Sequence, residues 1–261
     1  MIVLMPIGGK SSRFLKEGYK ISKTMLPITD RFTGKKILMT LAAMKDIPWL
    51  SQKNTKLIIV GSPDQEKNNL KKKIQTKYKN SIFIPDYVML DQAYGCFLAR
   101  SLLDSNEELF IGACDNGFDI DLKKFNKMKK NFDAIMLSHT QDTNIVNNPN
   151  AHSWARVSKN NSVTEVSLKK IISNDFYFDH ATTGMFWFKR ASDFLKYLTQ
   201  MIWANDTLDN KFYLDNVLNY YIKDRKKVGY FDVRYICWGT PFDYEGYENT
   251  IQYWKKFQKI K

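Results

Sequence analysis

The chain has 261 residues, enough to bury a full core without disulfide or metal staples, and its 44% hydrophobic and 14% aromatic content is that of a globular protein, not a disordered one. A net charge of +13, from 40 Lys and Arg against 27 Asp and Glu, calls for either an anionic partner or a solvated basic surface. No stretch approaches the ~18 apolar residues of a membrane span, no basic region precedes the short N-terminal apolar run, and no nucleic-acid module accompanies the dispersed lysines, so neither membrane nor nucleic acid is an expected partner. Three cysteines without paired spacing, Cys96, Cys114 and Cys237, suit reduced thiols in a cytoplasmic protein.

Ile2 to Met5 reads as a short buried strand that stops at Pro6 and opens into Gly8-Gly9-Lys10-Ser11-Ser12-Arg13. A strand leaving into small residues exposes consecutive backbone N–H groups, an anion nest that glycines allow a phosphate to approach. By itself the glycine pair is equally a plain turn. After Gly34 a helix-like stretch carries Ile37, Leu38, Leu41 and Ala42 on one side and ends at Pro48. Lys56–Gly61 is a buried strand by its continuous apolar run. Ser62-Pro63-Asp64-Gln65 opens the next helix, with Ser62 as cap, Pro63 at the first position and Gln65 completing a capping box. Leu70, Ile74 and Tyr78 form its single apolar stripe. Ser81 to Ile84 is a short strand, and the Asp91-Gln92-Ala93-Tyr94-Gly95 loop leads into a helical run through Phe97, Leu98 and Leu102. Leu109 to Ala113 is another buried strand, ending at Cys114-Asp115-Asn116-Gly117. Leu122 to Asn131 is helical and Ala134 to Leu137 is a strand. This alternation predicts a doubly wound, mainly parallel sheet whose ligands bind at the carboxyl ends of the strands.

The pattern then changes. Trp154–Ser158 and Val163–Ser167 alternate apolar and polar around Asn160-Asn161, a hairpin signal. Gly184–Phe188 is a fifth buried strand. Two helices follow, one with Phe194, Leu195, Leu198 and Ile202 inward, the other with Val217, Leu218, Tyr221 and Ile222. Val228–Phe231 and Tyr235–Trp238 are short strands, and Thr240-Pro241 opens a last helix with Tyr244, Tyr247, Ile251 and Trp254 inward. The expected architecture is one α/β domain, a Rossmann-like doubly wound, mixed and mainly parallel sheet with a small β-rich lobe.

Several residues carry chemistry. Arg13 and Lys23 add fixed positive charge to the Gly8 loop, although Lys23 also reads as a surface lysine. Asp115 at the end of a buried strand is desolvated unless it binds something, and a hard divalent cation with phosphate oxygens suits it; the other reading, a helix cap, is filled better by Asp119 or Asp121. Gln92 offers a donor and an acceptor for a base edge, and Gly95 would let a base approach the backbone. His139, His152 and His180 have no ligand spacing.

In order, the opening strand, Gly8-Gly9-x-x-Ser12-Arg13-Phe14, Gly18-Tyr19 and Lys23-x-Met25-Leu26-Pro27-Ile28 resemble the start of the sugar-phosphate nucleotidylyltransferases, the pyrophosphorylases, and above all their short members from capsule and surface-polysaccharide pathways. Gln92 to Gly95 is similar to that family's base-reading loop, Cys114-Asp115-Asn116 to its Gly-Asp-Asn metal motif, Val166 to Ser173 to its Glu-Lys motif with Lys169 as the lysine, Thr183-Gly184 onward to its Gly-hydrophobic strand, and Gly239-Thr240-Pro241-x-Asp243 to its closing motif. The resemblance spans nearly the whole chain. It implies a cytoplasmic enzyme that joins a nucleoside triphosphate, CTP or UTP, to a phosphorylated small-molecule acceptor and releases pyrophosphate, with Mg²⁺ as cofactor. Residues 1–138 would form the nucleotide-binding half and 139–261 the acceptor-binding half. Gly8, Gly9, Ser11, Ser12, Gln92 and Gly95 would hold the nucleotide. Arg13 would neutralise the leaving pyrophosphate, Lys23 the α-phosphate, Asp115 would hold the metal, and Lys169 and Gly184 the acceptor. Three positions depart from the pattern: Thr24 stands where the family has Pro, Leu168 where it has the Glu of Glu-Lys, and Cys237 where many members have a second metal-binding Asp, for which Asp243 or Asp232 could substitute. These departures admit a non-sugar phosphate acceptor, and Asp119-Ile120-Asp121 admits a glycosyltransferase of the same sheet type.

Overall fold

Side chains alternate along the buried strands, and in this computed structural model of residues 1–259 they feed two separate cores. Strand β1 (Ile2–Pro6) sends Ile2 and Leu4 to one face and Val3 and Met5 to the other. Helix α1 (Ser12–Lys16), the hairpin β2 (Pro27–Thr29) and β3 (Lys36–Leu38), and α2 (Met39–Lys45) follow. Then come β4 (Lys56–Gly61), α3 (Pro63–Lys67), α4 (Leu70–Lys77), β5 (Ile82–Pro85), α5 (Gln92–Leu98), α6 (Arg100–Leu103) and β6 (Leu109–Ile111). The next elements are β7 (Asn116–Asp119), α7 (Leu122–Lys129), β8 (Ala134–His139), α8 (Thr143–Asn147), β9 (Trp154–Ser158) and β10 (Ser162–Ser167). The chain closes with β11 (His180–Phe188), α9 (Ala191–Trp203), α10 (Leu214–Lys223), β12 (Val228–Asp232), β13 (Arg234–Cys237) and α11 (Pro241–Lys259).

One nine-stranded sheet runs in the order β5-β4-β1-β6-β11-β8-β12-β10-β9. Strands β5, β4, β1 and β6 are mutually parallel, and β8 and β12 are parallel to each other. Strand β11 runs antiparallel between β6 and β8 and makes the sheet mixed. Both faces are covered, by α5, α9 and α10 on one side and by α2, α4 and α7 on the other, which explains why the central strands read as unbroken apolar runs. The predicted hairpin is present, β9 and β10 pairing antiparallel, and β11 reaches it by a register shift between Thr182 and Phe186. Gly184, at φ 76°, sits in that bulge, which bends the strand so that one end serves the main sheet and the other the lobe.

Four local expectations are corrected. Lys36–Leu38 is a strand, not the first turn of a helix, because Ile37 pairs with Ile28 across the β2–β3 hairpin. The stripe Leu70, Ile74 and Tyr78 belongs to a second helix, because Asn69 adopts a left-handed conformation at φ 63° and separates α3 from α4. Gln92 to Gly95 is the first turn of α5 and not a loop: the Asp91 carboxylate caps it, accepting from the Tyr94 N–H at 2.8 Å. Trp254 is 53% exposed, because the far end of α11 runs past the core it covers at Tyr244 and Tyr247.

Candidate active site

The carboxyl ends of β1 and β6, the start of α5, the bend of β11 and the start of α10 enclose a cavity of about 740 Å³. Gly8, Gly9, Arg13, Lys23, Gln92, Gly95, Asp115, Lys169 and Gly184 all line it, although they come from positions up to 176 residues apart (184 − 8). Of the residues singled out from the sequence, Ser11 and Ser12 do not line it. Ser12 is exposed in the first turn of α1. Ser11 is buried and its hydroxyl is spent inside the protein: it accepts from the Lys23 N–H at 3.0 Å and bonds Ser22 Oγ at 3.0 Å. Ser11 therefore ties the glycine loop to the turn that begins at Lys23.

A second clamp holds the same turn. Gln65, fully buried, donates from Nε2 to the Ile7 carbonyl at 2.7 Å and to Thr24 Oγ1 at 3.0 Å, while its Oε1 accepts from the Ser62 N–H at 2.9 Å as the capping box requires. Thr24 thus has a hydrogen-bonded job at the position where a proline was expected. Gly8 is required sterically, since a Cβ there would lie 2.9 Å from Asp86 Oδ2. Gly95 packs α5 onto β1, a Cβ there meeting Pro6 Cβ at 3.3 Å.

Lys23 Nζ pairs with Asp115. Burial alone would lower the Lys23 pKa, but the Asp115 carboxylate and its hydrogen bond outweigh burial and leave it raised. Arg13 makes no ion pair among the described residues, yet its charge is close enough to be felt by both Lys23 and Lys169. Lys169 adopts φ 53°, donates to the Ala151 carbonyl and sits 5.2 Å over the Tyr213 ring. Burial, with Arg13 adding, lowers its pKa against the opposing pull of Asp215. Three cations thus face one cavity, a setting that favours an anionic ligand. Gln92 reaches across the cavity, donating from Nε2 to the Gly184 carbonyl at 3.3 Å.

Asp115 offers one carboxylate to a divalent cation. At the position of the expected second acid, burial and the neighbouring Asp243 push the Cys237 thiol up to about 12, so it stays protonated and donates to Asp243 Oδ2 at 3.3 Å. Asp243 also accepts from the Thr240 hydroxyl at 2.6 Å. Asp232 is remote from the cavity lining and is held by Ser138 and His180. No group of three or more His, Cys, Asp or Glu among the described residues is poised to hold a metal. The donor set is not an all-protein cage. It fits an ion such as Mg²⁺ that keeps most of its oxygen ligands from phosphates and takes one protein carboxylate.

Asp119-Ile120-Asp121 plays no part here: Asp119 pairs with Arg31, Asp121 caps α7 by accepting from the Lys124 N–H at 3.0 Å, and neither lines the cavity. Sequence reasoning missed Asp86, Asp91 and Asp215 on the cavity wall. Asp91 before a helix and Asp215 in a helix's first turn read as caps, and Asp86 reads as a loop acid after β5.

The chain matches no known family profile and no curated protein. Among solved structures it is similar to the nucleoside-diphosphate-sugar pyrophosphorylase of Vibrio cholerae RC9, with a TM-score of 0.73 and 19% identity over 95% of this chain and 100% of that one. It is similar to a Bacillus anthracis protein assigned as a glucose-1-phosphate thymidylyltransferase, with a TM-score of 0.71 and 15% identity over 96% and 95% of the two chains. It is also similar to the inositol-1-phosphate CTP transferase of T. maritima, with a TM-score of 0.65 and 17% identity over 96% of each chain. The class this defines is the α/β fold of the nucleotidyltransferases, and it covers the chain almost end to end.

Proposed function

We propose that the protein is a nucleotidylyltransferase that joins a nucleoside triphosphate, CTP or UTP, to a phosphorylated small molecule, a sugar 1-phosphate first among the candidates, and releases pyrophosphate. One observation carries the reading: Arg13, Lys23 and Lys169, from three distant segments, converge with the Gly8-Gly9 loop and Asp115 on one cavity at the strand ends. The names of the similar structures, which act on glucose 1-phosphate and inositol 1-phosphate, support the same acceptor class. The resemblance to capsule-type members supports a role in surface-polysaccharide precursor synthesis in the cytoplasm. A non-sugar alcohol or amide phosphate is the alternative acceptor.

In this reading residues 1–138 hold the nucleotide and residues 139–261 the acceptor. The backbone of Gly8 and Gly9 receives the triphosphate, and Arg13 neutralises the pyrophosphate that leaves. Lys23 meets the charge that grows on the α-phosphate. Lys169 holds the acceptor phosphate, one of whose oxygens attacks the α-phosphorus in line as the bond to pyrophosphate breaks. No covalent enzyme intermediate is needed, so positioning and charge stabilisation are the protein's contribution. Asp115 would hold Mg²⁺, which when bound supplies charge neutralisation between phosphate oxygens.

The test is a screen of the four triphosphates against a panel of phosphorylated acceptors, with released pyrophosphate as the readout. Turnover with one pairing is expected. Pyrophosphate from none of them overturns the proposal.

A further inference from the structure

Five aspartates line the cavity, and four of them are occupied. Asp86 Oδ1 accepts from the Val88 and Met89 N–H groups at 3.0 and 2.7 Å. Asp91 accepts from the Tyr94 and Phe212 N–H groups at 2.8 and 2.9 Å. Asp115 pairs with Lys23, and Asp243 takes the Cys237 thiol and the Thr240 hydroxyl. Asp215 is the exception. It is 7% exposed, and its Oδ1 has no hydrogen-bond partner among the described residues. Leaving a buried acceptor unpaired is costly, more so for a charged one, so a donor that enters the cavity is favoured here.

The surroundings narrow the donor. Lys169 is near enough for the two charges to influence each other, so the wall already holds a cation. Asn116, 3% exposed and also on the cavity lining, gives its Nδ2 to the Thr183 carbonyl and leaves its own Oδ1 unpaired. Two buried acceptors on the lining that also carries Lys169 suit a ligand with more than one O–H. A quaternary ammonium has no N–H or O–H to give and would meet the Lys169 charge. Leu168, where the sequence pattern leads one to expect a glutamate, packs against the apolar core and can hold no hydroxyl.

We infer that Asp215, at the start of α10, reads the acceptor, its carboxylate accepting a hydrogen bond from a hydroxyl of a polyhydroxylated phosphate ester. The carboxylate lost at Leu168 is thereby supplied from a different element. The inference rests on the nucleotidylyl-transfer reading.

The experiment measures pyrophosphate release by the full chain with CTP and UTP against a hexose 1-phosphate, its monodeoxy analogues and choline phosphate. Asp215→Leu removes both acceptor oxygens while keeping a branched side chain of the same heavy-atom count. The expected result is a KM for the hexose phosphate raised about 10- to 100-fold, the scale of one hydrogen bond to a charged group, with the KM for the triphosphate within twofold of wild type. The melting temperature should fall little, since the buried Oδ1 has no hydrogen bond to lose among the described residues. One monodeoxy analogue should lose the same factor with the wild-type protein and nothing further with the variant, and that series needs no variant to fold. An unchanged acceptor KM, no monodeoxy analogue losing more than threefold, or choline phosphate preferred over every hydroxylated acceptor overturns the inference and leaves nucleotidylyl transfer standing. Pyrophosphate from no pairing at all removes the functional reading and the inference with it.

Discussion

Lys23→Met isolates what the buried ammonium does. The substitution keeps the apolar stem and removes the charge, so Asp115 is left without its ion-pair partner. The two side chains are 21% and 23% exposed, which places the pair between surface bridges, worth ~0–1 kcal/mol, and fully buried ones, whose breaking costs ~3–5 kcal/mol. A stability loss of about 1–3 kcal/mol is expected. The catalytic loss should be larger, a fall in kcat on the order of 10²–10³, as for removal of one preorganised charge-stabilising donor. The two effects separate by pH. Burial would lower the Lys23 pKa, but Asp115 leaves it raised above 10.5, so the stability from this pair is fully present below that value and is lost as pH rises through the higher folded one. Urea midpoints of wild type and variant should therefore differ by a constant amount near pH 7 and converge in strong alkali. Steady-state pyrophosphate release at saturating substrates gives kcat, and urea unfolding at pH 7 and above 10.5 gives the stability term. A kcat within threefold of wild type would refute the role assigned to Lys23.

Three further outcomes follow from the same geometry. Asp115→Asn should abolish Mg²⁺-dependent turnover, and an Mg²⁺ titration curve like that of wild type would show that the ion is held elsewhere. Gly8→Ala places a methyl 2.9 Å from Asp86 Oδ2, so it should cost about 1–3 kcal/mol of overpacking and raise the KM for the triphosphate more than that for the acceptor, as initial rates and thermal melts would reveal. Burial, aided by His152, lowers the His139 pKa from 6.5 to about 3, so the native state stays neutral while the unfolded chain takes up a proton; stability should fall by at most ~1.4 kcal/mol per pH unit between those values, and His139→Leu should remove that slope in urea midpoints at pH 7, 6 and 5.

The alternating half of the fold is legible in the sequence because its strands are covered on both faces and so appear as plain apolar runs. Lys56–Gly61 is found to the residue, and the Ser62 capping box is present as written. What local pattern conceals is pairing at a distance. Nothing near Lys36 announces the β2–β3 hairpin, and nothing in Gly184–Phe188 says that the strand runs against its neighbours. The cavity follows the same rule. The glycine pair, Arg13 and Lys23 stand out as a cluster after a buried strand, and Asp115 stands out because a carboxylate at the end of such a strand is costly without a partner. Asp215 does not, because an acid in the first turn of a helix has an ordinary explanation, and only its lack of a partner in three dimensions removes that explanation.

The three departures from the family pattern differ in kind, and the difference bears on where this protein has changed. Thr24 keeps the loop rigid by another means, since Gln65 grips its hydroxyl and the Ile7 carbonyl together. That substitution preserves the wall assigned to the triphosphate. Leu168 and Cys237 do not preserve what they replace: one joins the core, the other is a protonated thiol that donates to Asp243 instead of offering charge to an ion. Neither position offers the expected carboxylate, while Arg13, Lys23 and Lys169 all line the cavity. In the proposed reading, phosphate-facing cations beside these altered carboxylate positions mean the same transfer chemistry on a different acceptor.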